Sequence, residues 1–290
     1  MRNAPGKGSV RGRPSRLLSL PRAMRLAPHA LLLLWVAGAL LLPEVIPFRY
    51  DETNYAESLA APCWRHLLGT DPLGRDLLAR VMVGARISLA IAVLSRLLAL
   101  ILGVLLGGIA GFKGGWVDLA VMRLVDVMLA FPTLLLAVAL VSLWGPSLLS
   151  LFVAIGIASW AEIARLMRAQ ILAVRQQEFA SAALALGCSP TRLFFRHLLP
   201  NGLTPVLVWT TTGMAGAILA ESGLSFLGLG VEPPLPSWGA LVAQGWDEVL
   251  RAPWLSFFPG LALAFTVILF NLVGDRLRES WDPLQRRVGR

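Results

Sequence analysis

An all-α protein that crosses a membrane about six times is the fold class this sequence predicts. Three observations predict it. Of 290 residues, 56% are hydrophobic and only 15% charged, against roughly 25% charged in a soluble domain. The apolar residues fall in blocks, several of them near the ~18–20 residues that cross a bilayer as helix. The basic residues that give a net charge of +9 gather at the block ends, where membrane topology uses them. That placement explains the charge without nucleic acid.

Residues 1–28 are rich in Arg, Gly and Pro, lack an apolar period, and read as a basic tail. The run HALLLLWVAGALLLPEVIPF, about 29–46, follows. A basic stretch before an apolar run also fits a cleaved signal peptide. This stretch is long, however, and no A-x-A-like site follows directly, so the run is read as an uncleaved first span. With the polar loop 47–86 it forms the unit 29–86.

A core over 87–275 comes next. Its first span, 88–112, carries Gly103, Gly107 and Gly111 at four-residue spacing, a stripe on which a second helix can pack closely. The turn KGGWVD leads to a span at 119–142, in which Pro132 is expected to kink the helix. WGPS precedes a span at 147–167. After a polar gap, 168–201, a span at 203–227 ends at GLGVEPPLPSWG (228–239), whose prolines and glycines exclude regular helix. A last span covers 254–273, and 276–290 form a polar tail. No internal repeat is evident.

Six spans put both termini on one side, and the positive-inside rule chooses which. With the N-terminus inside, inner segments hold 19 Lys/Arg and outer segments 6, Arg96 lying within a span. Both termini and residues 168–201 are therefore expected in the cytoplasm. Cys63 and Cys188 then lie on opposite faces and cannot bridge.

The gap contains ALALGCSPTRLFFRHLLPN (183–201), a basic, turn-punctuated stretch between apolar runs. Residues 178–186 predict a short helix kept thin by Ala180, Ser181, Ala182, Ala183 and Ala185. Gly187 suits the left-handed position after a helix end. Ser189 and Pro190 suit the cap and first position of a second helix, with Leu193, Phe194 and Leu198 near one side and Arg192 and Arg196 four apart. Pro200 is expected to end or bend it. The shape suits docking to a partner protein. It equally suits an amphipathic hairpin on lipid headgroups.

The order Ala182-Ala183, Gly187, Leu199-Pro200 resembles the EAA signature of ABC importer permeases, with its spacing intact from Ala182 through Pro200. Ser181 stands at the family's glutamate and His197 at its isoleucine. The first departure puts the glutamate's ionic contact in doubt. The stretches 66–89, 123–137, 220–239, 252–260 and 270–283 resemble the second (C-type) permeases of dipeptide, oligopeptide and nickel importers, so the resemblance spans roughly 28–283. It implies type I importer architecture in a bacterial or archaeal inner membrane. It also implies a second permease, two ATPase subunits holding ATP and magnesium, and an extracytoplasmic substrate-binding protein. The segment 178–200 would couple to an ATPase through Ser181, Ala182, Ala183, Gly187, Pro190, Arg192, His197, Leu199 and Pro200.

Outside that segment, Asp126 is an ionisable group near a span end, which marks a functional candidate. Arg123, three residues away, is the expected local partner. Glu221 either faces a pathway or bonds a neighbouring helix. Arg96 is expected to face the bundle or to snorkel. His66, Asp71 and Asp76 could suggest a metal site, but turn-making by Gly69, Pro72 and Gly74 accounts better for that stretch. Trp238 fits a gate or an interfacial anchor.

Neither Lys7 nor Lys113 is followed by Ser or Thr, so no phosphate-cradling G-x-x-x-x-G-K-[ST] loop exists. No histidine sits where it could activate Ser225 for proteolysis within a bilayer. A gradient-driven carrier is the remaining alternative. It would keep coupling charges in mid-span, where Arg96 is thin support.

Overall fold

The computed structural model describes residues 22–281, with side chains placed from 27 to 280. Most of the expected tail 1–28, and most of 276–290, lie outside the described residues. Helix α1 (Arg22–Val45) begins inside the stretch expected as tail. Next comes α2 (Leu77–Lys113), eleven residues longer at its start than the apolar run, because Asp76 caps it by accepting the Ala79 N–H at 2.8 Å. Then follow α3 (Gly115–Ala130), α4 (Thr133–Trp144) and α5 (Leu148–Arg175). Short helices α6 (Glu178–Ala185) and α7 (Pro190–Leu193) lead into α8 (Leu199–Thr212) and α9 (Met214–Leu224). Last are α10 (Trp238–Trp246), which the sequence reading missed, and α11 (Trp254–Trp281), which runs past the expected boundary at 275. Among the described residues there is no β-strand, only an isolated bridge between Thr70 and Asp76.

Among the described residues, five helical stretches are long and apolar enough to cross a membrane, and six if α3 and α4 count as one broken span. That pair corrects one expectation. Pro132 does not kink a continuous helix. Phe131, forced toward extended backbone by the proline after it, ends α3 at φ −98°, ψ 136°, and Pro132 heads α4 at 90° to α3.

At Pro200 the opposite holds, which corrects a second expectation. The helix neither ends nor bends sharply there, and residues 190–229 form one helical stretch. A wide π turn, Phe194–Leu198, absorbs the proline: the Leu199 N–H reaches back five residues to the Phe194 carbonyl. Asn201 Nδ2 then donates to the His197 carbonyl at 2.7 Å.

The glycine stripe packs as expected. Helices α2 and α5 run parallel, and a side chain at Gly103 would meet Ile163 at 2.5 Å. One at Gly107 would overlap the Ala164 carbonyl, and one at Gly111 would press the Arg168 carbonyl at 3.0 Å. Two cores result. One joins α2 to α9, α10 and α11 around Trp238. The other joins α2 and α5 to the segment after α5, around Met167, Ile171 and Phe194.

Between α1 and α2 the polar loop is a knot of turns. Gly69 and Gly74 adopt φ +82° and +71°. Asp71 accepts from the Arg75 guanidinium at 2.6 Å, with Arg80 at 3.5 Å. His66 pairs with Asp76 at 2.8 Å. These residues are engaged with one another in holding the loop, which is the turn-making role expected of the stretch.

Candidate functional site

After α5 the chain turns through Gln176 and Gln177 into α6, with Glu178 in the first turn, where a carboxylate favours the helix dipole. Helix α6 closes in a paired left-handed stop. Gly187 N–H donates to the Leu184 carbonyl and Cys188 N–H to the Ala183 carbonyl, each at 3.0 Å, with Gly187 at φ +81°. A Cβ on Gly187 would meet nothing within 4 Å in this chain. The left-handed backbone expected there, rather than any crowding among the described residues, is what requires glycine. Ser189 caps α7 by accepting the Arg192 N–H at 3.4 Å, and Pro190 takes the first position, where its missing N–H costs nothing.

One face of this unit is anchored. Ala180, Leu193, Phe194 and Leu198 are buried, and the Phe194 ring packs on Phe112 of α2 at 4.8 Å. The other face is open. Ser181, Ala182, Ala185, Gly187 and Pro190 are exposed, and among them Leu184 and Leu186 stand out at 48% and 89% exposure. Leu186 has no reason in this chain to be so bare. Beyond the stop lie exposed Arg192, Phe195 and Arg196, half-buried His197 and Leu199, and exposed Pro200. The nine residues singled out in the sequence thus form one continuous unit. The two exposed leucines belong to it and were missed: the sequence marks them as apolar without saying which way they face.

Asp126, Pro132 and Glu221 lie elsewhere. Asp126 makes the expected ion pair with Arg123 at 3.9 Å and a shorter one, across the helices, with Arg165 of α5 at 2.7 Å. A second such link, bidentate, joins Asp118 of α3 to Arg168, with Nη2 to Oδ2 at 2.6 Å; fifty residues separate the partners, so no local pattern announces it. Glu221 is fully buried. It accepts from Ser225 Oγ at 2.8 Å and Ser222 Oγ at 3.3 Å, both within its own helical stretch. Trp238 is no interfacial anchor: it is fully buried, and its indole N–H donates to the Val81 carbonyl at 3.1 Å. Arg96 faces the bundle, nine-tenths buried.

Residues 103–287 match the family model described as "Binding-protein-dependent transport system inner membrane component". The chain is 41% identical over 245 residues to the dipeptide transport system permease protein DppC of Alkalihalophilus pseudofirmus, covering 84% of this chain and 81% of the relative. It is 43% identical over 258 residues to the di/tripeptide transport system permease protein DppC of Pseudomonas aeruginosa, with 87% and 85% covered. With the oligopeptide transport system permease protein OppC of Haemophilus influenzae the identity is 38% over 246 residues, with 84% and 79% covered. Among solved structures, the inward-facing MetNI methionine ABC transporter superposes with TM-score 0.57 at 20% identity, over 70% of this chain and 95% of that one. An amino acid ABC transporter does so with TM-score 0.53 at 15% identity, over 72% and 94%. These two share the fold. The agreement sets aside the gradient-driven carrier. A chain matched over most of its length by transport-system permeases, and folded as an importer's transmembrane subunit is folded, belongs to the binding-protein-dependent inner membrane components, as a C-type permease subunit of an ABC importer.

Proposed function

We propose that this permease moves short peptides inward, and that residues 178–200 couple it to an ATPase subunit. The observation that carries the coupling is the open face of α6: Leu184 and Leu186 exposed on a helix thinned by Ser181, Ala182 and Ala185, while the opposite face is locked into the core. Small residues let a partner approach the backbone, and the two leucines supply apolar area to bury against it. Gly187, Pro190 and the Ser189 cap fix the turn that presents them. Ser181 offers a hydroxyl where an acid would supply charge, so docking here relies on shape. Arg192, His197, Leu199 and Pro200 lie on the return to the membrane.

Peptides are the solute class because the relatives that match over most of the chain are named for dipeptides, tripeptides and oligopeptides. The remaining parts follow from membership in the family: a second permease, an extracytoplasmic binding protein and two ATPases that hold ATP and magnesium. The surplus of Lys and Arg on one set of segments places both termini and residues 178–200 in the cytoplasm of a bacterial or archaeal cell, with loop 47–76 outside. The reading keeps four units: a basic tail 1–28, the first span and outer loop 29–86, the core 87–275, and the tail 276–290.

Reconstitution tests this. Liposomes holding the chain alone should hydrolyse no nucleotide and move no peptide. Peptide-stimulated hydrolysis and uptake should appear only with both permeases, both ATPases and the binding protein. Nucleotide hydrolysis or peptide movement by the pure chain would overturn the proposal.

A further inference from the structure

Arg96 stands within α2, nine-tenths buried, and its Nε has no hydrogen-bond partner among the described residues. A charge at such depth is costly and persists where it faces a cavity or a partner. Here it faces a cavity of about 430 Å3, lined also by Thr133, Ser159, Glu162, Gly213 and Gly216, within the usual size range of small-molecule sites. The wall is shaped around the arginine. A Cβ on Gly213 would collide with the guanidinium, yet Gly213 has an ordinary helical φ of −69°. The backbone there does not need glycine; the arginine does. Helices α8 and α9 thus leave a notch for a cation that the chain leaves under-bonded, with a carboxylate, Glu162, on the same cavity.

We propose that this cavity is a transient binding site for a zwitterionic solute in transit, with Arg96 taking the solute's carboxylate and Glu162 its ammonium. The proposal rests on the peptide reading above and adds a place within the span where a peptide's ends are recognised. A guanidinium presents parallel N–H groups that match a carboxylate. Thr133 and Ser159 line the same cavity. One cation and one anion hold a solute long enough to enter and weakly enough to leave.

The test uses the complete importer in liposomes, supplied with dialanine, dialanine amide or N-acetyl-dialanine. Arg96→Gln should lower dialanine uptake at least about tenfold, the loss of one charge-assisted hydrogen bond, while changing uptake of the amide far less. Glu162→Gln should show the same contrast between dialanine and its N-acetyl form. Equal loss for charged and capped peptides would assign both residues to packing and overturn the proposal. Gly216→Met decides the matter if the binding protein refuses the capped peptides or Arg96→Gln fails to assemble. A side chain there starts in open space, so the helix should fold, the cavity fill, and uptake fall while ATP hydrolysis persists. Unchanged uptake in that variant would sink the site alone. A wild-type complex that moves no peptide would sink the peptide reading and this site with it.

Discussion

His66 Nδ1 lies 2.8 Å from one oxygen of Asp76, and the other oxygen of Asp76 accepts the N–H of Ala79 at 2.8 Å. One carboxylate therefore ties the outer loop to the first turn of α2. Asp76→Ala should lose the cap, about 1 kcal/mol, and also leave the buried His66 ring short of a partner, roughly 1–3 kcal/mol more. Asp76→Asn keeps an acceptor for Ala79 and should lose less. Melting of the detergent-purified chain checks the order; equal shifts for the two variants would mean that the cap on Ala79 contributes nothing.

Gly187 gives a graded prediction. Its φ of +81° costs L-residues roughly 1–2 kcal/mol, and β-branched ones most, whereas Asn tolerates it. Uptake by the assembled importer should fall in the order Gly187→Asn, Gly187→Ala, Gly187→Val, the last abolishing transport with membrane insertion intact and ATPase recovery poor. Ala182→Asp should act like Gly187→Val by charging the docking face, and Arg192→Ala should be mild. If α6 and α7 instead rest on lipid, the order reverses: losing Arg192 and Arg196 would hurt most, and Gly187→Val would transport normally.

Adjacent glycines of α2 should respond differently. Gly107→Ala puts a methyl into the Ala164 carbonyl, while Gly108→Ala meets only the Phe194 ring at 3.4 Å. Backbone cannot yield as a ring can, so Gly107→Ala should lower the melting temperature clearly and Gly108→Ala little. Similar melting temperatures for the two would contradict the close packing of α2 on α5.

Topology is open to chemistry. Cys63 is exposed, and the charge asymmetry places it outside and Cys188 inside. Under the proposed orientation, an impermeant maleimide applied to intact cells should label a variant keeping only Cys63 and spare one keeping only Cys188. The reverse pattern would invert the proposal.

The approximate number of spans, the glycine stripe and the stop at Gly187 were readable because each rests on neighbours within a turn or two: apolar run length, four-residue spacing, a cap beside a proline. The two prolines were not. Pro132 and Pro200 look alike in sequence, yet one stands at a right-angled corner and the other inside a continuing helix. The difference lies in whether the preceding turn can widen, as Phe194–Leu198 does. Trp238 was misread because its seat is made by Val81 and Ser88, some 150 residues away. At Asp126 the local partner Arg123 was readable, whereas the shorter pair with Arg165, 39 residues off, was not. The cavity at Arg96 is assembled from α2, α4, α5 and the α8–α9 junction, so only the folded chain displays it.

The backbone contact between α2 and α5 has a mechanical consequence. Where Gly107 lies against Ala164 there is no side-chain cushion to shear, so the two helices can only travel together. Helix α5 leads through Gln176 and Gln177 into α6, and α2 starts at the knot around Asp76. The pair is then a stiff crossbar joining the proposed docking face to the loop before α2, and a push at one end is delivered at the other instead of being dissipated between them. Spin labels on α2 and α5 would keep a constant separation through the ATP cycle if this holds, while distances from either helix to the second permease change.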